Sequence, residues 1–105
     1  MPTPSSRLRN KLTTENLWLY ILSLLSTRDF YGYELRETVK AQFGFLPGKV
    51  TAYRVLYALK SEGFVAIEKK EEGTGRKRKY YTITKKGKKE IENGKNLLKE
   101  TLASL

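Results

Sequence analysis

Residues 47–84 read PGKVTAYRVLYALKSEGFVAIEKKEEGTGRKRKYYTIT, and they carry the clearest secondary-structure pattern in the chain. Its first part has apolar side chains at the i, i+3, i+4 and i+7 spacing of one helix face: Ala52, Val55, Leu56 and Leu59. Gly63 ends that helix. Two segments rich in β-branched and aromatic residues follow at 64–68 and 78–84, separated by a turn that contains glycine. The stretch therefore predicts a helix followed by a two-stranded hairpin.

The outward face of this predicted helix has an unusual composition. A solvated helix face usually carries charged and polar side chains such as Glu and Lys, whereas this face carries aromatic rings and an arginine. At about 100° per residue, the face consists of Val50, Arg54, Tyr57 and Ser61, with Tyr53 and Lys60 on one flank.

Two further helices are predicted upstream. The first has apolar residues around much of its circumference: Leu17, Trp18, Ile21, Leu22, Leu24 and Leu25. Asp29 is suited to cap the second helix and Gly44 to end it. The apolar face of this second helix holds Leu35, Val39 and Phe43. Residues 1–12 contain two prolines and two serines and have little to bury, so they predict a flexible arm.

Downstream of the hairpin, Thr84 is suited to cap a long final helix. That helix has a seven-residue apolar repeat, Ile91, Leu98 and Leu105, with Leu97 and Leu102 beside it. The order α-α-α-β-β-α is that of a winged helix-turn-helix, a mostly helical fold in which a small β-hairpin forms the wing. We predict a flexible arm at 1–12, a winged helix-turn-helix DNA-binding domain at 13–84 and a C-terminal dimerisation helix at 85–105.

The composition excludes several classes of function. The 105-residue chain has 21 Lys and Arg against 11 Asp and Glu, a formal charge of +10, so the expected partner is a polyanion, double-stranded DNA. Because it contains no Cys and no His, it lacks the common ligands of zinc and the common base of acid–base catalysis, and we predict no enzymatic activity and no cofactor or metal. The apolar run 17–25 is about half as long as a membrane span. The first residues lack the apolar segment of a secretory signal, so a cytoplasmic protein without a membrane partner is expected.

A winged helix-turn-helix lays its third helix in the major groove and brings basic wing residues to phosphates or to the neighbouring minor groove. Arg54 is suited to a bidentate bond with a guanine edge, and Tyr53 and Tyr57 to contacts with phosphates or thymine methyls. Lys49 and Lys60, near the two ends of the helix, are placed for the phosphate backbone. The predicted DNA-binding residues are Lys49, Thr51, Tyr53, Arg54, Tyr57, Lys60, Arg76, Lys77, Arg78 and Lys79.

Surplus apolar surface predicts a homodimer. A three-helix module covers only one face of its first helix and leaves the final helix without a partner of its own, so we expect the final helix to pack against its mate and against the first helix. The seven-residue repeat is the spacing of a seam between helices. The predicted interface consists of Leu17, Trp18, Ile21, Leu22, Leu25, Ile91, Leu98, Leu102 and Leu105.

Several short motifs occur in the order found in one known family. Tyr31-Gly32-Tyr33-Glu34-Leu35 resembles the motif that opens the second helix of PadR-family transcriptional regulators. Pro47-Gly48, Thr51-Ala52-Tyr53, Leu56-Tyr57-Ala58-Leu59 and Glu62-Gly63-Phe64-Val65 resemble the family's recognition helix and its end. Arg78-Lys79-Tyr80-Tyr81-Thr82-Ile83-Thr84, followed by Gly87, resembles the second strand of the wing and its exit. The resemblance spans about 17–91.

This resemblance implies a dimer that represses promoters and that, in some members, is released by a small ligand or phenolic compound. A small-molecule effector is therefore a further candidate partner. The chain departs from the family pattern at Arg54, where the family usually has proline after the recognition-helix tyrosine. Its C-terminal region is a single helix, which resembles the short PadR-like proteins without the larger effector and dimerisation domain.

Two other functions remain open on the sequence. A sequence-neutral, chromatin-type protein would share the basic charge and the dimer, but it would bind specific and random DNA with similar affinity. A winged helix that binds protein partners through its third helix would lack the steep salt dependence that phosphate contacts impose.

Overall fold

A computed structural model describes residues 3–71, 73, 75 and 77–105. In chain order the elements are α1 (Pro4–Leu12), a short 3-10 helix (Thr14–Asn16), α2 (Leu17–Leu25), β1 (Phe30–Tyr31), α3 (Gly32–Phe43), α4 (Lys49–Ser61), β2 (Val65–Glu71), β3 (Lys77–Ile83) and α5 (Lys85–Ser104). The predicted winged helix-turn-helix is confirmed, with α4 as the third helix of the module and β2 and β3 as its wing.

The ends of the helices follow local signals in the sequence. Gly44 follows α3 in the left-handed conformation, with a φ of 83°, and its N–H donates to the carbonyl of Lys40. Gly63 adopts the same φ of 83° just after α4. The side chain of Thr84 accepts a hydrogen bond from the N–H of Gly87 at 3.1 Å and so caps α5. These three predictions are confirmed.

The sheet has three antiparallel strands in the order β1-β3-β2, one strand more than predicted. The extra strand, β1, pairs Phe30 with Tyr81 and Tyr31 with Tyr80. It consists of only two residues, too few to show a period in the sequence. The strand attaches the start of α3 to the wing, so the wing is anchored to the helical part of the fold.

The predicted capping role of Asp29 is wrong. Helix α3 begins at Gly32, after β1, and the carboxylate of Glu34 accepts a hydrogen bond from the N–H of Tyr31 at 3.2 Å. The carboxylate of Asp29 instead accepts from the ammonium of Lys70 on β2 at 2.9 Å. Asp29 therefore ties the turn after α2 to the wing.

Helix α2 is the centre of the hydrophobic core. Five of the residues predicted for a dimer interface are at most 2% exposed within the single chain: Leu17, Ile21, Leu22, Leu25 and Ile91. The prediction assumed that α5 has no partner in its own domain. Helix α5 instead folds back on α2 and buries Ile91 beside it. These five side chains are therefore covered without a second copy and are removed from the interface that we propose below.

Two glycines allow α5 to pack this closely. A Cβ atom on Gly94 would lie 2.8 Å from Cη2 of Trp18 and 2.9 Å from Cδ1 of Leu19. A Cβ atom on Gly87 would overlap the carbonyl oxygen of Phe64. The first half of α5 is therefore packed against residues 13–84, although the sequence analysis placed a domain boundary between residues 84 and 85.

The arm at 1–12 differs from the expectation of flexible chain, because residues 4–12 form the helix α1. The hydroxyl of Thr3 accepts from the N–H of Ser6 at 3.1 Å, and Pro4 occupies a first-turn position where its missing N–H is harmless. None of the residues of α1 is buried. Across the described residues, no helix combines the length and apolarity needed to cross a membrane.

Candidate nucleic-acid interface

Helix α4 presents its predicted outward face to solvent. Ala52, Leu56 and Leu59 are buried on its inner side. Val50 and Tyr57 are 70% and 72% exposed, although both are large apolar or aromatic side chains. The α4 residues predicted to bind DNA are all exposed: Lys49, Thr51, Tyr53, Arg54, Tyr57 and Lys60. This face therefore offers rings, an arginine and terminal lysines to a partner without any rearrangement of the core.

Tyr53 serves both packing and exposure. Its ring lies against Gly32, where an added Cβ atom would come within 2.7 Å of Cε1 of Tyr53. The tyrosine nevertheless remains 40% exposed. Any side chain larger than glycine at position 32 would displace the ring. Glycine at this position therefore allows Tyr53 to pack at the junction of α3 and α4.

The first turn of α3 is held by a pair of charged side chains. The guanidinium of Arg28 bonds both carboxylate oxygens of Glu34, at 3.1 and 3.4 Å, and lies 3.6 Å from the centroid of the Phe30 ring. The same carboxylate caps the N–H of Tyr31. Glu34, which was not among the predicted site residues, therefore orients the start of α3, where Tyr33 is exposed.

The wing supplies the second group of predicted residues. Lys77, Arg78 and Lys79 are exposed on the first half of β3. The guanidinium of Arg78 lies 4.6 Å from the ring centroid of Tyr31, a cation–π contact that holds the arginine near α3. Arg76, also predicted to bind DNA, lies outside the described residues.

A cleft of about 230 Å³ lies between the wing and the helices α3 and α4. Arg78 and Lys79 line it from the wing, and Tyr53 lines it from α4. Tyr33, at the start of α3, is 61% exposed and also lines the cleft. Tyr33 was not among the predicted site residues, although its position off the Leu35, Val39 and Phe43 face of α3 is a signal of an exposed ring. The structure thus brings three predicted residues, one from α4 and two from β3, to one aromatic and cationic cleft.

The wing is held in place by Asp29 and Lys70. The hydrogen bond from Lys70 lowers the pKa of the Asp29 carboxyl, and the same hydrogen bond raises the pKa of Lys70. The ammonium of Lys70 also lies 5.1 Å from the ring centroid of Tyr80. Because Lys70 belongs to β2 and Tyr80 to β3, these contacts connect both wing strands to the turn before β1.

One of the lysines at the start of α5 has a structural role. The ammonium of Lys86 donates to the carbonyl of Glu62 at 2.6 Å and lies 4.7 Å from the ring centroid of Phe64. A cation beside the last carbonyls of α4 interacts favourably with that end of the helix. Lys86 therefore stabilises the C-terminal end of α4. This role accounts for a positive charge at the N-terminus of α5, where positive charge is otherwise unfavourable.

The second half of α5 carries the remaining apolar surface. Leu98, Leu102 and Leu105 are 40%, 75% and 97% exposed, and Leu97 beside them is 65% exposed. Trp18 is half-buried next to Gly94 of this helix. Four of the residues predicted for a dimer interface are thus at least partly accessible: Trp18, Leu98, Leu102 and Leu105.

Within residues 3–71, 73, 75 and 77–105, no three acidic residues come together in a way that could hold a metal ion. The groups gathered at α4 and the wing are cations, hydroxyls and aromatic rings. Such groups bind phosphates and base edges through charge, hydrogen bonds and stacking.

Comparison with solved structures places this arrangement among transcriptional regulators. A PadR-like transcriptional regulator from Bacillus cereus is 29% identical, with a TM-score of 0.74 over 91% of this chain and 91% of that one. A PadR family transcription regulator from Clostridium difficile is 29% identical, with a TM-score of 0.71 over 84% of this chain and 95% of that one. Bacillus subtilis PadR in complex with operator DNA is 30% identical, with a TM-score of 0.66. That match covers 73% of this chain but only 45% of the Bacillus subtilis protein.

No curated protein matches the chain. The transcriptional regulator PadR-like family, however, matches residues 21–93, from α2 through the wing and into α5. The match includes α3, α4 and both wing strands, which carry the cleft and the exposed outward face of α4. This chain therefore belongs to the PadR-like family of transcriptional regulators.

Proposed function

We propose that this protein is a sequence-specific DNA-binding repressor that acts as a homodimer in the cytoplasm and catalyses no reaction. The observation that carries the proposal is the exposed outer face of α4, where Tyr57 is 72% exposed beside Arg54. A helix about 10–12 Å wide fits the major groove of B-DNA, and its outer side chains then reach the base edges. Arg54 donates to a guanine edge, and Tyr57 packs against a thymine methyl or a sugar.

The cleft between α3, α4 and the wing binds the phosphate backbone beside that groove. Arg78 and Lys79 supply positive charge, and the hydroxyls of Tyr33 and Tyr53 supply hydrogen-bond donors. Phosphate contacts of this kind position a protein on the duplex and provide most of its salt-dependent affinity. The operator complex solved for Bacillus subtilis PadR, whose similarity covers 73% of this chain, supports DNA as the partner.

The homodimer rests on the apolar second half of α5. After Ile91, no residue of α5 is buried, yet the helix continues to Ser104 with leucines on one side. A monomer would leave Leu98 and Leu102 in water, together with the partly exposed ring of Trp18. Two-fold pairing of α5 covers them and presents two α4 helices to half-sites roughly 34–36 Å apart.

A test starts from selection of bound sequences out of a pool of random duplexes. Fluorescence anisotropy then compares the selected duplex with a scrambled duplex of equal length. We expect at least about a thousandfold tighter binding to the selected duplex, and log affinity that falls linearly with log salt. Equal affinity for both duplexes would favour the chromatin-type alternative. Absence of duplex binding at about 50 mM salt, where phosphate contacts are strongest, would contradict DNA binding altogether.

The dimer is tested separately by sedimentation of a double variant, Leu98→Glu with Leu102→Glu. We expect the wild type to sediment at twice 12.1 kDa and the variant as a monomer with weakened operator binding. Asn96→Glu with Ala103→Glu is the matched control, because it adds the same charge at exposed positions on the opposite side of α5. A folded wild-type monomer at micromolar concentration would overturn the homodimer.

A further inference from the structure

The first turn of α4 carries an apolar side chain that the core does not use. Val50 is 70% exposed, whereas the apolar residues on the inner side of the helix are buried: Ala52, Leu56 and Leu59. Valine is a poorer helix former than alanine, lysine or glutamate, and its methyl groups gain nothing from contact with water. Position 50 therefore holds a side chain that neither the helix nor the core requires.

The main chain at this turn is held by two hydrogen bonds. Pro47 is buried, and its carbonyl accepts from Nε of Arg36 on α3 at 3.0 Å. The carbonyl of Gly48 accepts from the N–H of Ala52 at 2.8 Å. A β-branched side chain in a helix has one strongly preferred rotamer. The two methyl groups of Val50 therefore point to solvent from a supported position, and little conformational entropy is lost when a partner covers them.

Val50 lies one helical turn before Arg54 on the outward face of α4. Four residues of a helix span about 6 Å, and successive bases along one DNA strand are about 3.4 Å apart. When Arg54 reaches a guanine, Val50 is therefore within about two base pairs of it. Because the N-terminal residues of a recognition helix are the ones that contact base edges, Val50 faces the floor of the major groove.

We infer that Val50 is a specificity-determining residue that binds the C5-methyl group of a pyrimidine. This methyl group is the apolar feature of base edges in the major groove, and thymine carries it. Cytosine lacks it, and 5-methylcytosine has it at the same place. The inference rests on the proposed function and adds a form of regulation to it. A site with cytosine at this position is bound more tightly once that cytosine is methylated at C5.

Tyr57 is the other large exposed side chain of this face, and it reads a different base pair. It lies seven residues after Val50, about 10 Å further along α4, which corresponds to about three base pairs. A methyl group in contact with Tyr57 is therefore outside the window of about two base pairs around the guanine of Arg54 on the Val50 side.

Replacement of thymine by uracil tests the contact, because the two bases differ by this methyl group alone. Each thymine of the selected duplex is replaced in turn, and anisotropy gives the affinity. We expect about a fourfold loss at one thymine within about two base pairs of the position whose preference Arg54→Ala relaxes. The factor corresponds to burial of one methyl group, about 0.8 kcal/mol.

Val50→Ala separates the side chain from the shape of the DNA. The position is exposed and alanine is the better helix former, so the variant keeps the fold. We expect it to bind the thymine and uracil duplexes with affinities within about 1.5-fold of each other. Leu46→Ala is the matched control, because it truncates an exposed apolar side chain in the loop before α4. It should keep the fourfold ratio.

Cytosine and 5-methylcytosine at the same position give an independent measurement. We expect wild-type protein to bind the methylated duplex about fourfold more tightly than the unmethylated one. Val50→Ala should bind both with equal affinity, because the contact that detects the methyl group is gone.

The inference is overturned if no thymine in this window responds to loss of its methyl group, or if 5-methylcytosine binds no more tightly than cytosine. It is equally overturned if Val50→Ala keeps the wild-type ratios, which is the result expected when the methyl group acts through the shape of the DNA. Comparison of the selected and scrambled duplexes in the same assay keeps the two proposals apart. Intact preference for the selected duplex without a methyl response contradicts only this inference, whereas loss of that preference contradicts the proposed function and the inference with it.

Discussion

Substitution of Gly87 by alanine tests how closely the start of α5 packs against the main chain at Phe64. Gly87 is in the first turn of α5, where alanine would stabilise a free helix by up to about 1 kcal/mol. In the folded protein the new methyl group would overlap the carbonyl oxygen of Phe64 and lie 2.8 Å from Cγ1 of Ile83. Carbon atoms in contact are about 3.5–4.0 Å apart, so α5 would have to move outward by about 1 Å.

The magnitude follows from what that movement disrupts. The N–H of Thr84 donates to the carbonyl of Phe64 at 3.1 Å, and its hydroxyl donates to the carbonyl of Gly63 at 2.6 Å and to that of Phe64 at 3.0 Å. Each of these two donors contributes about 1 kcal/mol net. Overpacking a filled site adds about 1–3 kcal/mol. After subtraction of the helix gain, we expect the free energy of unfolding to fall by about 2–4 kcal/mol. The midpoint of thermal unfolding should fall by about 10–25 °C.

Urea unfolding monitored by far-UV circular dichroism and by Trp18 emission measures this change, at one fixed concentration because a dimer's stability depends on it. Gly73→Ala is the control, since an added Cβ atom there has no neighbour within 4 Å. We expect it to change the free energy of unfolding by less than about 0.5 kcal/mol. A Gly87→Ala protein at least as stable as the wild type would refute the packing argument.

Three further predictions concern the DNA interface and the wing. Arg54→Ala should weaken operator binding by about 1–3 kcal/mol and relax the preference at one base pair; an equal loss on random DNA in the anisotropy assay would make Arg54 a phosphate contact. Lys77→Ala with Lys79→Ala should weaken binding to all sequences alike and reduce the salt slope by about 2, whereas a changed base preference would contradict that role. Asp29→Asn should lower the free energy of unfolding by about 0.5–1 kcal/mol near neutral pH. Because its pKa is lowered in the folded protein, the stabilisation by Asp29 is present above its unfolded pKa and is lost as the pH falls through the folded one. The gap between wild type and variant in urea unfolding should therefore narrow as the pH falls through the acid range, and a gap that acid leaves unchanged would refute the role of the carboxylate.

Features that depend only on neighbours along the chain could be predicted from the sequence. The spacing of Ala52, Leu56 and Leu59 determines which side of α4 is buried, and hence that Arg54 and Tyr57 point outward. The signals at Gly44, Gly63 and Thr84 act within one helical turn, so they could be interpreted without the fold. The basic charge and the alternating strands of the wing are likewise local, and they were enough to predict a hairpin that exposes cationic side chains.

Tertiary structure decided the features that depend on residues distant in sequence. Strand β1 exists only because Phe30 and Tyr31 pair with β3, and Asp29 is drawn from helix capping to Lys70, 41 residues away. Gly94, which appears in the sequence as a weakness in a helix, is the point where α5 approaches Trp18. The return of α5 buries residues of α2 that the sequence assigned to a second copy. Periodicity shows which side of a helix is apolar, but only the path of the whole chain decides what covers that side.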